Sequence, residues 1–308
     1  MNLVVLNPNA RGGRARRIWH RLGPVLWEHF DDPVIAVTRS ADEVGAHIDD
    51  ARRAGVERII VIGGDGTNHA IVNALLQEPA RADVQPIPIG QVPIGTGHDW
   101  SRTLSIPTEP VEAIRWLAQA EPRPCDVGRV TFRGRSRLFL NVASAGVGAE
   151  VARRVNAVQN RKPWTYLRAI LTVLMSCPPQ WVRVTLDGRL FYEGTSYVTV
   201  VANGRWFGHG IMVAPNAAYD DGLFDVLLAE GMSRPRIIHV LMQAYSGNHL
   251  SMPGVHSGQA ARVEIEAARG ETLGLELDGE PDEGEHLTFE VLPSALQVLV
   301  RQGEARQM

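Results

Sequence analysis

The sequence predicts an α/β protein of two domains, a three-layer N-terminal α/β domain on a parallel sheet and a C-terminal, mostly antiparallel β-sandwich domain. Three observations predict it. Up to about residue 120, short β-branched runs alternate with amphipathic segments. After "RPCDVGRVTF" the pattern turns to alternating strands. The chain is also long enough, at 308 residues of which 44% are hydrophobic, to bury two cores.

In the first half, "LVVLNP", "VIAVT" and "RIIVIGG" read as strands, with "RIWHRLGPVLWEHF" and "DEVGAHIDDARRAG" as the helices between them. Strands joined through helices make a parallel sheet with right-handed crossovers, and such sheets bind ligands beyond the carboxyl ends of their strands. Asn7, Thr38 and the run from Gly63 to Thr67 fall at such ends.

In the second half, "WVRVTLDGRLFYEGTSYVTVVANG" reads as two strands around an Asp187-Gly188 turn. "LFDVLLAE", "ARVEIEA" and "LGLELDGE" are further strands. Two helices interrupt them, "TYLRAILTVLM" and "RPRIIHVLMQAYSG", the second with Pro235 near its start and Gly247 past its end. The two regimes meet in "EPRPCDVG". That places the domains at 1–125 and 126–294, with the chain end from about 295 to 308 a candidate to return to the first.

A net charge of −3 and a pI near 6.4 give no bulk attraction to nucleic acid, which is not expected as a partner. Cys125 and Cys177 stand far apart, so neither a disulfide framework nor a CxxC zinc site is expected. The ten histidines show no HExxH spacing. "MNLVVLNPNARGG" enters a strand directly, without the apolar core and cleavage site of an export signal. The longest apolar stretch, "YLRAILTVLM", is interrupted by Arg168 and is shorter than the roughly 20 residues that span a bilayer. A cytoplasmic protein is expected, with at most peripheral contact at the inner membrane face; a homo-oligomer is compatible with the chain.

The chemistry concentrates in "VIGGDGTNHA". Its glycines permit a tight turn and close backbone approach, and the helix beginning near Thr67 directs free N–H groups outward, an arrangement that suits phosphate. Asp65 would repel a bare phosphate. It makes sense when Mg²⁺ or the proton of a reacting hydroxyl lies between them. The plain alternative is a turn with Asp65 as a helix cap. "PIGTGHDWSR" repeats the plan at another strand end with Asp99, and the same alternative applies.

Together, "GGDGT" and, about thirty residues on, a segment similar to P-x-G-T-x-N-D-hydrophobic-x-R resemble the diacylglycerol kinase catalytic domain family, which includes bacterial soluble lipid kinases and, more distantly, sphingosine and ceramide kinases. "NPNARGG" looks like its opening loop, "YDDGLFDV" like its Asp-Asp-Gly stretch and "LDGE" like its terminal signature, so the resemblance covers nearly the whole chain. It implies a Rossmann-like first domain and an ATP site lined by Asn7, Pro8, Asn9, Ala10, Arg11, Thr38, Gly63, Gly64, Asp65, Gly66, Thr67, Asn68, His69, Gly95, Thr96 and His98. It also implies that Glu280 is the catalytic proton acceptor, that Asp65 and Asp99 organise the nucleotide, Mg²⁺ or both, and that Asp221 holds a structural Mg²⁺ with backbone oxygens of Ala218 and Leu223, Asp220 nearby.

The alternatives are an exposed turn residue for Glu280 and mere turn geometry for "DDG". Two departures stand out. His98 replaces the family's usual asparagine before Asp99, and Arg11 delays the first glycine of the opening loop by one place.

The implied reaction transfers the ATP γ-phosphoryl group to a lipid hydroxyl, the lipid being diacylglycerol or a relative presented by a membrane surface. An apolar cleft for it is suggested by "NRKPWTYLRAILTVLM" and "NGRWFGHGIMVAP", with Trp164, Trp206 and Phe207 as candidates, although such residues are as readily core. Two readings stay open beside it: an NAD kinase-like enzyme, which shares Gly-Gly-Asp-Gly, and a non-catalytic lipid- or nucleotide-binding regulator whose site His98 has altered. A dinucleotide oxidoreductase is disfavoured because G-x-G-x-x-G is missing after the first strand.

Overall fold

The structure, a computed structural model, describes residues 1–76, 87–95, 97–158 and 164–301, apart from the side chains at 41 and 42. It divides into two compact units, one formed by Met1–Cys125 with the chain from Ser294 onward, the other by Asp126–Pro293.

In the first unit β1 (Asn2–Leu6), α1 (Ala10–His29), β2 (Pro33–Val37), α2 (Ala41–Arg53), β3 (Arg58–Gly63), α3 (Asp65–Leu76), β4 (Ile89–Pro93), α4 (Asp99–Thr103) and α5 (Pro110–Ala118) follow in chain order. The strands run β2-β1-β3-β4, all parallel, with Leu3 opposite Val34 and Ile59, and Ile59 opposite Ile89. Ile59, Ile60, Val61 and Ile62 are all fully buried. A strand covered on both faces has no polar side to show, so β3 reads as an unbroken apolar run. The helices start where side chains cap them: Ser40 accepts from the Glu43 amide, and Glu109 accepts from the Glu112 amide with Pro110 in the first turn.

"EPRPCDVG", whose prolines suggest an interruption, belongs to a twelve-residue strand, β5 (Glu121–Phe132). Pro122 and Pro124 lie in its exposed first third, where a missing N–H is tolerated at a sheet edge.

The second unit continues with β6 (Arg135–Phe139), β7 (Val142–Gly146), α6 (Gly148–Asn156), α7 (Thr165–Ser176), β8 (Gln180–Leu186), β9 (Arg189–Ala202), β10 (Phe224–Glu230), α8 (Arg234–Ala244), a 3-10 turn at Asn248–Ser251, β11 (Val255–Ala260), β12 (Arg262–Ala267), β13 (Leu273–Leu277), β14 (Glu280–Gly284) and β15 (His286–Val300). Its strands run β14-β13-β7-β9-β8-β12-β15 with antiparallel neighbours, while β10 pairs with β9 and β11, and β5 with β6. Asp187 and Gly188, both at positive φ, form the two-residue turn from β8 to β9 that the sequence predicts.

Period-two alternation sorts these strands between two cores. Ala143, Val201, Val226 and Leu228 join Phe139, Phe224 and Phe289 inside the sandwich. Val142, Val200, Ala202 and Leu227 face the other way and meet α6, α7 and α8. That second core surrounds the cavity described below. The end of β15 returns to the first unit, where Val298 pairs parallel to Ile89 of β4.

Candidate active site

Three strand tips of the first unit are tied together around Asn7. Its amide donates to the Ile62 carbonyl at 3.0 Å, its Nδ2 to Thr67 Oγ1 at 3.1 Å, and its Oδ1 accepts from the Asn9 amide at 3.0 Å. One residue after β2, the Thr38 amide donates to the Leu6 carbonyl, and the buried Thr38 hydroxyl is committed to the Ser40 carbonyl at 2.8 Å. Arg11, Gly12 and Gly13 are consecutively left-handed, so the loop after Pro8, Asn9 and Ala10 turns before α1 settles into regular helix. Left-handed backbone costs a non-glycine residue about 1–2 kcal/mol, so Arg11 holds this geometry at a penalty.

The two glycine motifs touch. A β-carbon on Gly64 would lie 3.2 Å from the Gly95 Cα, and the Ile94 amide donates to the Gly63 carbonyl at 2.9 Å. Backbones this close leave no room for a side chain. From the loop so formed α3 departs at Asp65, with Gly66 exposed and Thr67, Asn68 and His69 buried. Asn68 has neither a donor nor an acceptor partner for its buried amide among the described residues. Thr96 lies outside the described residues.

Gly97 lies within the second motif, beside both carboxylates. A β-carbon there would lie 2.9 Å from Asp65 Oδ2 and 3.3 Å from Asp99 Oδ2, so both carboxylates close on one residue. Asp99 is buried, opens α4 and pairs with Arg102 at 3.2 Å. His98 is left-handed, at φ 58 and ψ 23, a conformation in which asparagine, aspartate and histidine are several-fold enriched over other residues. The histidine therefore keeps the backbone geometry an asparagine would favour.

In the second unit Glu280 opens β14 and is exposed, directly after a turn in which Asp278 and Gly279 both have positive φ. Asp278 nails that turn to the start of β7: its carboxylate accepts from the amides of Leu140, Asn141 and Val142 at 2.8, 2.9 and 3.2 Å. Asn156 on α6 donates to the Gly279 carbonyl at 3.1 Å. Beneath the turn, Glu276 accepts from the Gly279 amide and from Ser144 Oγ at 3.0 Å. Complete burial, with Asp278 and Glu280 adding like charge, pushes the Glu276 carboxyl up to about 8.

The "YDDGLFDV" loop is anchored by Asp126, whose amide donates to the Tyr219 carbonyl and whose carboxylate accepts from the Gly222 amide, both at 2.7 Å. Asp221 Oδ1 accepts from the Leu223 amide at 3.0 Å. Although Asp221 reaches the surface, partial desolvation and then the charges of Asp126 and Asp220 raise its carboxyl, and desolvation followed by Asp221 raises Asp225. Among the described residues no group of three histidine, cysteine or acidic side chains is arranged to hold a metal, so a site here would rest on Asp221 with carbonyls such as those of Ala218 and Leu223.

The second unit also contains a partly open cavity of about 130 Å³. Aliphatic side chains of α6, α7, α8, β9 and β10 wall it. Of the aromatic candidates, Phe207 lines it; Trp164 is 59% exposed on the surface, and Trp206 gives its carbonyl to Asn141. Gly97, Asp278, Glu276 and Asp126 carry no functional signal of their own in the sequence; "GTGHD", "LDGE" and "EPRPCDVG" mark only their neighbourhoods.

The diacylglycerol kinase catalytic domain matches residues 2–130, and the YegS C-terminal NAD kinase beta sandwich-like domain matches residues 141–300. "Probable lipid kinase YegS-like" of Chromohalobacter salexigens is 31% identical over 299 residues, covering 95% of this chain and 88% of its own. "Diacylglycerol kinase" of Mycobacterium tuberculosis is 30% identical over 305 residues, covering 96% and 94%. A crystal structure of a diacylglycerol kinase from Bacillus anthracis shares the fold with a TM-score of 0.73 at 22% identity, over 98% of this chain and 97% of that one. A second structure from that organism reaches a TM-score of 0.81 at 25% identity, over 98% and 95%.

Proposed function

The chain belongs to the diacylglycerol kinase catalytic domain family of lipid kinases, and on that footing we propose that it transfers the γ-phosphoryl group of ATP to a hydroxyl of diacylglycerol or a related lipid, with Mg²⁺. One observation carries the lipid half of this reading. Helix α6 holds the Glu280 turn through Asn156 and walls the apolar cavity through Gly148 and Val151, so one helix serves both the proton acceptor and the apolar space.

In this reading the loops at Asn7, Gly64 and Gly95 offer backbone N–H groups to the phosphates, and the buried Asn68 amide gives the nucleotide a donor and an acceptor. Mg²⁺ supplies charge neutralisation, and Asp65 or Asp99 would hold it beside the phosphates while Asp221 with the Ala218 and Leu223 carbonyls would hold one in the acidic loop. Glu280 accepts the proton of the lipid hydroxyl. A carboxylate is a weak base toward an alcohol, so proton loss comes late and positioning contributes more than basicity. No helix among the described residues is long and apolar enough to cross a membrane, and the lipid is met at a membrane surface.

The test is γ-labelled ATP incubated with the protein and a panel of diacylglycerol, phosphatidylglycerol, a polyprenol, a sphingoid base and NAD. Label in one lipid is the expected result. Label in the dinucleotide, or ATP binding with no acceptor labelled, rejects the proposal in favour of a dinucleotide kinase or a regulator.

A further inference from the structure

Glu276 is a carboxylic acid in a place that favours an apolar side chain. Its strand neighbours Leu275 and Leu277 enter the sandwich core, so by alternation Glu276 faces the other way, opposite Ser144 of β7 and against the start of α6. It is 1% exposed. Burying a carboxyl there is costly, and a leucine would fill the position more cheaply. What the acid alone provides is an acceptor for the amide of Gly279, the residue that carries Glu280. Burial first, and then the charges of Asp278 and Glu280, keep that acid protonated at neutral pH. A neutral acid has one oxygen to accept from Gly279 and a hydroxyl to share with Ser144 Oγ, 3.0 Å away.

The carboxyl has no room to shift. A β-carbon on Gly148, the first residue of α6, would run into Ser144 Oγ, and one on Gly274 would lie 2.7 Å from the Gly146 carbonyl oxygen and 2.8 Å from Ala149 Cβ. Strands β7 and β13 and the start of α6 therefore close tightly around it. The other end of α6 takes the opposite side of the same turn residue, where Asn156 donates to the Gly279 carbonyl at 3.1 Å. Asp278, one residue earlier, is fixed by the three amides at the start of β7. Gly279 is thus held by its N–H and by its C=O, and the direction in which Glu280 leaves the turn follows from those two bonds.

We propose that Glu276 is a positioning residue: through the Gly279 amide it fixes where the Glu280 carboxylate stands when it takes the proton of the lipid hydroxyl. The inference rests on the lipid-kinase reading and adds to it a residue that burial closes to both substrates. A reacting group misplaced by about 1 Å can cost about a hundredfold in rate.

The test is steady-state kinetics of the full-length protein with γ-labelled ATP and the lipid panel above. Glu276→Leu fills the strand position but strands the Gly279 amide, and its kcat is expected to fall by about tenfold or more, with KM for ATP and for lipid little changed. Glu276→Gln supplies the same acceptor and an N–H for Ser144, and is expected to recover most of the rate. In a Glu280→Gln background the leucine is expected to add nothing, because a residue that acts through Glu280 then has nothing left to position. Ser144→Ala frees only the outer oxygen of the acid and is expected to lose part of the rate.

The inference is overturned by wild-type kcat in Glu276→Leu or, should that variant not fold, in Ser144→Ala. It is equally overturned by no recovery in Glu276→Gln, or by a loss from leucine that is the same with and without Glu280. Any of these results with an active wild type sinks this inference alone; a wild type that labels no lipid rejects the kinase reading and this inference with it.

Discussion

Asp65 and Asp99, 34 positions apart on different helices, direct their Oδ2 atoms to the same glycine: the space a Gly97 β-carbon would fill lies 2.9 Å from one and 3.3 Å from the other. Gly97→Ala therefore displaces the Asp65 carboxylate without touching the sheet. Turnover is expected to fall at least about tenfold, equivalent to about 1.4 kcal/mol in the barrier, with the melting temperature nearly unchanged. Steady-state kinetics beside thermal unfolding check this, and full activity in Gly97→Ala would show that the convergence has no catalytic role.

Asp278 should matter more to stability than its place in a surface turn suggests. Asp278→Ala strands the amides of Leu140, Asn141 and Val142, at roughly 1–3 kcal/mol for a buried donor left unpaired. Chemical denaturation should show that loss, with a smaller one for Asp278→Asn, whose amide oxygen still accepts. Equal stability of Asp278→Ala and wild type would contradict the assignment.

Glu276 makes stability depend on pH in a stated direction. Its carboxyl rises from an ordinary 4.5 to about 8 in the fold, so between those values the folded protein keeps a proton that the unfolded chain has released. The stability this contributes is complete below the lower value and is lost as pH rises through the upper one. Glu150 and Glu264, lowered chiefly by bonds to Arg154 and Arg262, act below that window. The melting temperature should fall between about pH 5 and 8.5, and Glu276→Gln should flatten much of the fall. Identical slopes in both proteins would refute the buried-acid account.

A cation in the acidic loop should reveal itself without any assay of turnover. Mg²⁺ at a hundredfold excess over its Kd would stabilise the fold by about 2.7 kcal/mol through mass action. Asp221→Asn should lose most of that increment. A melting-temperature rise of the same size in Asp221→Asn would place the responsible ion elsewhere.

Much of the architecture was legible because local patterns and tertiary environment agree. The strand of Ile59–Ile62 is apolar on both faces and buried on both, and Asp187-Gly188 offers the turn that the flanking twist demands. "EPRPCDVG" was harder, because prolines forbid a central strand but not an exposed strand end. Glycine-flanked aspartates announced the first-unit loops. Glu276 announced nothing: in "LGLEL" it alternates with leucines as a surface glutamate would, and only pairing of β13 with both β14 and β7 buries it.

The most direct measurement follows γ-labelled ATP with the wild type and Glu280→Gln side by side, counting label in the lipid phase against ATP consumed. One labelled lipid for each ATP is expected from the wild type, and a rate lower by about 10²–10⁴ from Glu280→Gln, with ATP affinity unchanged. ATP consumed without label entering any lipid, or equal rates in the two proteins, would contradict the account.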